Sequence, residues 1–275
     1  MDLRTAGRVL PDLRIVPAAQ VFLHEDADPV RVERLSVRLR QDGALRNPPI
    51  AAGLPGDAFV VLDGANRVSA LTRLEAPVIP LQVVDYDDPA VRLDVWRHLI
   101  VEQLDVPDAL RAAGVALERS TRDAAGAALG GREIACYIVT GSGTFVVPLS
   151  PDRLLATTLT EVVASYKGSA RIYRVPTEDF DALVREYGDV SAVVVFPRLQ
   201  KQDILTIANS AARLPTGITR HLIPGRALRV NVPLELLSGP GDATRKHERL
   251  QDLIRQRLLD NSVRYYPEGA FLFDE

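Results

Sequence analysis

The apolar run Ala58-Phe59-Val60-Val61-Leu62 ends at Asp63-Gly64 and gives way at once to a helical stripe of Val68, Leu71 and Leu74. A short apolar run bounded by turn residues reads as a buried strand, and apolar residues three and four apart read as the core side of a helix. A strand feeding directly into a helix restricts the chain to folds in which a sheet carries helices. It also leaves unpaired backbone N–H groups and the positive end of the helix dipole at the turn, which is where anions bind. Gly64 lets a phosphate come close to the backbone, and Ala65 offers its backbone N–H. Asn66 brings an amide donor, and Arg67 brings charge-assisted hydrogen bonds for phosphate oxygens. A plain strand-to-helix turn capped by Asp63 is equally open on these residues.

Around this turn the pattern is strand, helix, hairpin, helix, strand. Leu13-Arg14-Ile15-Val16 is a strand signal, and Asp28-Pro29 opens a helix with Asp as cap and Pro at its first position. Val32, Leu35 and Leu39 form the inner face of that helix, Arg31, Arg34 and Arg38 its wet face, and Asp42-Gly43 its stop. Ile50-Ala51-Ala52 and the 58–62 run flank a Gly/Pro turn suited to a hairpin, and Ala76-Pro77 closes the second helix before the strand Val78–Val84. Residues around 88–116 are expected to be helical, and the small-residue stretch 119–131 reads as a linker or hinge.

The second half opens with the strands 133–139 and 144–147, joined by Gly141-Ser142-Gly143. Helices are expected near 151–166, 177–187 and 201–208, with strands at 170–175 and 191–196 between them. The helix 244–259 carries Leu250, Leu253, Ile254 and Leu258 on one face, suited to packing, as is the aromatic tail Tyr265, Tyr266, Phe271 and Phe273. The fold class is mixed α/β (α+β), with domains expected at 1–118 and 132–275 on either side of the 119–131 linker. No internal repeat shows at a fixed period.

With 275 residues, 47% of them hydrophobic, the chain can bury a real core. Thirty-three basic against 36 acidic side chains leave a net charge of −3, which offers no basic surplus for nucleic acid or an anionic membrane. The single cysteine, Cys136, lies in an apolar run and reads as a small core residue, so neither an intrachain disulfide nor a cysteine metal cluster can form. Met1-Asp2-Leu3-Arg4 leads into no apolar signal segment, and no run of about 18 apolar residues is present to span a bilayer. A cytoplasmic location is expected.

Two further clusters carry chemistry. His24-Glu25-Asp26-Ala27-Asp28 precedes the first helix. It is either a polar loop with Asp28 as cap, or the place where Glu25 takes a proton from an attacking hydroxyl. Leu214-Pro215-Thr216-Gly217-Ile218-Thr219-Arg220-His221 is followed by Ile223-Pro224-Gly225-Arg226. Arg220 suits a bidentate grip on a carboxylate, with Thr219 and His221 adding directional hydrogen bonds, although such a run also arises by chance.

The spacing of the three clusters resembles that of the free-serine kinases built on the ParB/sulfiredoxin-like fold. That family has a His-Glu pair before the first helix, a strand ending in Asp-Gly-His-His-Arg or a variant, and a C-terminal Thr-Arg-His segment. The resemblance implies a ParB/sulfiredoxin-like nucleotide-binding domain followed by a mixed α/β domain. It implies transfer of a phosphoryl group from ATP or ADP to free L-serine, giving O-phospho-L-serine, with Mg²⁺ bridging phosphate oxygens. Glu25 would be the base, and Asp63 would stand near the metal or the serine hydroxyl, with no residue assigned as a direct metal ligand. Gly64, Ala65, Asn66 and Arg67 would hold the phosphates. His24, Trp96, Thr219, Arg220 and His221 would lie on the serine side, Trp96 being also a candidate core or rim residue. Ala65 and Asn66 stand where the family commonly has two histidines, which implies a looser hold on the nucleotide or a changed preference.

Other readings stay open. A ParB-like regulator would want a basic recognition helix after the first domain, where this chain has Glu102, Asp105 and Asp108. A sulfiredoxin-type reductase needs a cysteine in the phosphate turn and is rejected. A non-enzymatic ligand sensor would bind a small molecule in its first domain and dimerise through the helix 244–259, and a homodimer is an expectation on that reading.

Overall fold

The structure is a computed structural model that describes residues 4–5, 8–150 and 152–266. They form two compact units. The first comprises the described residues of Met1–Leu23, Ala27–Arg92 and Ile223–Glu275, and the second comprises His24–Asp26 and Leu93–Leu222. Residues 223–266, which the sequence places with the second half, thus lie in the first unit.

The first unit holds a five-stranded sheet in the order Asp12–Pro17, Val78–Val84, Ile50–Leu54, Ala58–Asp63, Val21–Leu23. The hairpin of Ile50–Leu54 and Ala58–Asp63 is antiparallel, and Val78–Val84 runs parallel to Ile50–Leu54. The order strand, helix, hairpin, helix, strand is present, with Val21–Leu23 added as an edge strand that a three-residue segment did not signal. Helix Pro29–Asp42 begins at Asp28, whose carboxylate accepts from the N–H groups of Val30 at 3.0 Å and Arg31 at 3.1 Å. It ends at Gly43 in the left-handed region, φ 64°. Helix Ala243–Leu259 lies on strand Asp12–Pro17, and its Leu250 and Ile254 join Leu13 and Ile15 in the core. Leu250 and Ile254, with Leu258 packed against the same core, thus use its expected packing face within the unit. Tyr265 and Tyr266 stand exposed instead of packing. Met1-Asp2-Leu3, Pro151, Phe271 and Phe273 lie outside the described residues.

The second unit is built on an antiparallel six-stranded sheet, Glu118–Ser120, Gly143–Pro148, Ile134–Thr140, Val190–Val195, Arg97–Val101, Arg171–Val175. The helix expected within 88–116 is reduced to Val106–Ala112, preceded by strands Arg92–Val95 and Arg97–Val101. Arg97–Val101 pairs with a strand on each side, and this tertiary pairing outweighs local helical preference. The expected linker holds strand Glu118–Ser120 and helix Arg122–Gly130, capped by Thr121. Its alanines are good helix formers, and Ala125 is fully buried. Cys136 is buried as expected. Among the described residues no helix is long and apolar enough to cross a membrane.

Candidate functional site

In the first unit, strand Ala58–Asp63 delivers Gly64 as the N-cap of helix Ala65–Arg73. Gly64 has φ 106°, a left-handed conformation that a side chain would strain, and a Cβ there would meet the Arg67 guanidinium at 3.0 Å. The N-cap position falls on Gly64, which has no side chain, and not on Asp63, and a helix start is where anions bind. Asp63 Oδ2 accepts from Arg67 Nη2 at 3.2 Å and from Arg226 Nη1 at 2.5 Å. Arg67 Nη1 also donates to the carbonyls of Asn47 and Pro48 at 3.0 and 3.1 Å, which fixes its guanidinium beside the turn. Asn66 Oδ1 accepts the Asp28 N–H at 2.7 Å, which commits the oxygen end of its amide. Ala65 contributes backbone only.

In the second unit, His24–Asp26 is pinned to Leu214, whose N–H donates to the His24 carbonyl at 2.9 Å and whose carbonyl accepts from Asp26 at 2.8 Å. Glu25 is thereby set against the turn 217–219. Its Oε1 accepts from the Thr219 N–H at 2.5 Å and the Thr219 hydroxyl at 2.6 Å, and its Oε2 from the Gly217 N–H at 3.0 Å. Gly217 has φ 83°, and the Arg174 guanidinium occupies the place a Cβ would need. Below it, buried His98 lies with Nε2 3.2 Å from the Gly217 carbonyl and Nδ1 2.9 Å from the Tyr166 hydroxyl. Burial lowers the His98 pKa to about 4, so the ring is neutral, donating from Nε2 and accepting at Nδ1.

Thr219, expected on the serine side, therefore grips Glu25. Its hydroxyl has one proton, given to Glu25, so His24 Nε2 at 2.9 Å must be the donor to Thr219 Oγ1. His24 and His221 are both buried, with ring centroids 5.6 Å apart, edge to face. Strand Thr219–Leu222 pairs with Arg92–Val95, and Trp96 N–H donates to the Ile218 carbonyl at 2.8 Å. This places Arg220 over the indole of Trp96, 4.3 Å from the ring centroid, with Asp94 Oδ2 3.9 Å from Nη1. A guanidinium stacked by its face keeps its in-plane N–H groups directed outward, which suits a carboxylate ligand. Trp96 is partly buried and acts as the platform for that cation.

Among the described residues no three His, Cys, Asp or Glu side chains gather as a metal site. Mg²⁺ carried on a nucleotide would draw its ligands chiefly from phosphate oxygens and water, and the carboxylate at this turn that would join them is Asp63, whose Oδ2 is engaged by Arg67 and Arg226. Gln82 was not singled out by motif, and Arg226 was named only as following the third cluster, with no role assigned to it. A polar residue inside the apolar run Val78–Val84 is the signal that marks Gln82, which is buried and bonds the backbone on both sides of Arg226.

The fold is that of the free serine kinases. A solved structure described as a free serine kinase in complex with AMP matches with a TM-score of 0.73 at 20% identity, over 83% of this chain and 94% of that one. Staphylococcus aureus SbnI with a C-terminal truncation matches with a TM-score of 0.73 at 20% identity, over 90% of this chain and 97% of that one. In sequence, the chain is 23% identical over 265 residues to the ATP-dependent L-serine kinase SbnI of Staphylococcus aureus, covering 96% of this chain and 97% of SbnI. It is 22% identical to the ADP-dependent L-serine kinase SerK of Thermococcus kodakarensis, over 78% of this chain and 88% of SerK. No protein-family profile matches. The resemblance read from three clusters thus extends along nearly the whole chain.

Proposed function

We propose that this protein transfers a phosphoryl group from ATP or ADP to the hydroxyl of free L-serine, giving O-phospho-L-serine. The observation that carries the reading is the likeness, over 96% of the chain, to a protein named as an ATP-dependent L-serine kinase. Glu25 is the base. Three donors fix its carboxylate, and Oε2, which accepts one of them, keeps a lone pair for the serine hydroxyl proton. As that proton passes to Glu25, the serine oxygen bonds to the terminal phosphorus. The bond from phosphorus to the bridging oxygen breaks, and ADP leaves from ATP or AMP from ADP.

Arg220, steadied on Trp96, pairs with the serine carboxylate. Thr219 and His24 position Glu25, and His221 backs His24. The N–H groups at Gly64, Ala65 and Asn66 and the Arg67 guanidinium hold phosphates. Asp63 stands with them, where Mg²⁺ carried on the nucleotide would offset phosphate charge. We place the reaction in the cytoplasm, where nucleotide and free serine are supplied. A nucleotide-binding regulator without catalysis is the second reading, favoured by Ala65 and by the engagement of Asn66 with Asp28.

The test is to incubate the protein with Mg²⁺ and ATP or ADP, with and without L-serine, and follow O-phosphoserine by phosphorus NMR. Product is expected, and Glu25→Gln should slow its formation by about 10²–10⁴-fold. Folded protein that binds nucleotide yet makes no product with either would replace the kinase reading with the regulator.

A further inference from the structure

Arg226 lies 163 positions from Asp63 in sequence and outside every motif that marked the phosphate turn, yet its Nη1 meets Asp63 Oδ2 at 2.5 Å. The loop that presents it is fixed from below. Gln82, 3% exposed in the middle of strand Val78–Val84, donates its amide to the Gly225 carbonyl at 3.0 Å, and its Oε1 accepts the Ala227 N–H at 2.8 Å. These two bonds hold the backbone on either side of residue 226 and direct the side chain between them outward. A third anchor is the Arg229 N–H, which donates to Asn47 Oδ1 at 2.8 Å, next to the carbonyl that holds Arg67. Burying a primary amide in an apolar strand costs stability unless its hydrogen bonds are made, and this one spends them on placing an arginine.

Two guanidiniums therefore converge on one carboxylate oxygen beside a helix start whose N-cap is Gly64. Asp63 Oδ2, which the Arg67 guanidinium already engages, receives a second guanidinium from Arg226. If Arg226 served only to neutralise Asp63, Arg67 would already suffice, since it reaches the same oxygen at 3.2 Å. Arg67 is further tied to two carbonyls and its side chain is 19% exposed, whereas the Arg226 side chain is 38% exposed.

We infer that Arg226 is a second phosphate-binding arginine of the nucleotide site, with Gln82 as the residue that positions it. The inference rests on the nucleotide-dependent reading above and adds a binding residue to it. In the protein without nucleotide, Asp63 holds the guanidinium at the mouth of the turn. A bound polyphosphate takes over one face of it through charge-assisted hydrogen bonds.

The experiment is titration calorimetry of ADP and of adenosine against wild type and Arg226→Ala, a surface replacement that leaves the core intact. ADP should bind about 10- to 100-fold more weakly to the variant, as expected when a hydrogen bond to a charged group is lost, with adenosine unchanged. The same replacement made in Asp63→Asn protein separates the two roles. A loss that persists there supports direct contact with phosphate, and a loss that vanishes shows that the arginine only balances Asp63 and overturns the inference. Gln82→Ala should weaken ADP and add nothing to Arg226→Ala, the non-additivity expected when one residue acts through another. Equal ADP affinity in wild type and Arg226→Ala overturns the inference while leaving the kinase reading intact. Wild-type protein that binds no ADP or ATP removes both.

Discussion

Thr219 gives Glu25 two of its three hydrogen bonds, one from backbone and one from side chain, and the second can be removed without touching the first. Thr219→Val keeps the shape of the side chain and deletes only the hydroxyl. The carboxylate then loses one charge-assisted bond, and kcat should fall about tenfold, in line with the value of a hydrogen bond to an ionised group, while KM for the nucleotide holds. An unchanged kcat in steady-state kinetics would show that the turn backbone alone positions the base. Glu25 stands out in the sequence because the His24-Glu25 pair just before the first helix is a local pattern that carries the resemblance to the free-serine kinases. That Thr219 holds the base, and that Arg226 meets Asp63, are contacts between residues 194 and 163 positions apart, and no periodicity encodes such distances.

Among the elements, helix Pro29–Asp42 shows how much a single cap does. Asp28 accepts from two N–H groups of the first turn, and its own N–H is held by Asn66, which ties the start of this helix to the start of Ala65–Arg73. Asp28→Ala should lower unfolding stability by about 0.5–2 kcal/mol, read from the urea midpoint, with the Asn66 contact retained because it uses backbone. A midpoint identical to wild type would mean that Pro29 and the packing of the helix set its start without the carboxylate. Elements with punctuation of this kind, Asp-Pro at a start and Asp-Gly at an end, were readable from sequence. Helix Arg122–Gly130 was not, because alanine and glycine together look like a linker until burial of Ala125 is known. Strand Arg97–Val101 was missed for the opposite reason. Its residues carry a plausible helical spacing, and only the strands on its two sides decide the matter.

For the molecule as a whole, pH should act through His98. Its pKa is about 4 in the folded protein against 6.5 for an ordinary histidine, so on acidification the unfolded chain takes up the proton first. The contribution to stability is complete above pH 6.5 and is lost as pH falls toward 4, by about 3 kcal/mol in all. Urea unfolding at pH 7.5 and 4.5 measures this, and His98→Asn should show a shallower decline between the two. Parallel declines would assign the acid sensitivity to other groups.

Chain connectivity has a consequence for inheritance. Residues 93–222 depart and return through a pair of hydrogen-bonded strands, Arg92–Val95 and Thr219–Leu222, in the manner of a parenthesis within a sentence. Such a passage could be excised in one cut at the level of the gene, yet Glu25 would remain behind, stripped of Gly217 and Thr219. An exchange of residues 93–222 for a relative's would therefore part Glu25 from the donors at Gly217 and Thr219 unless residues 24–26 were carried across as well.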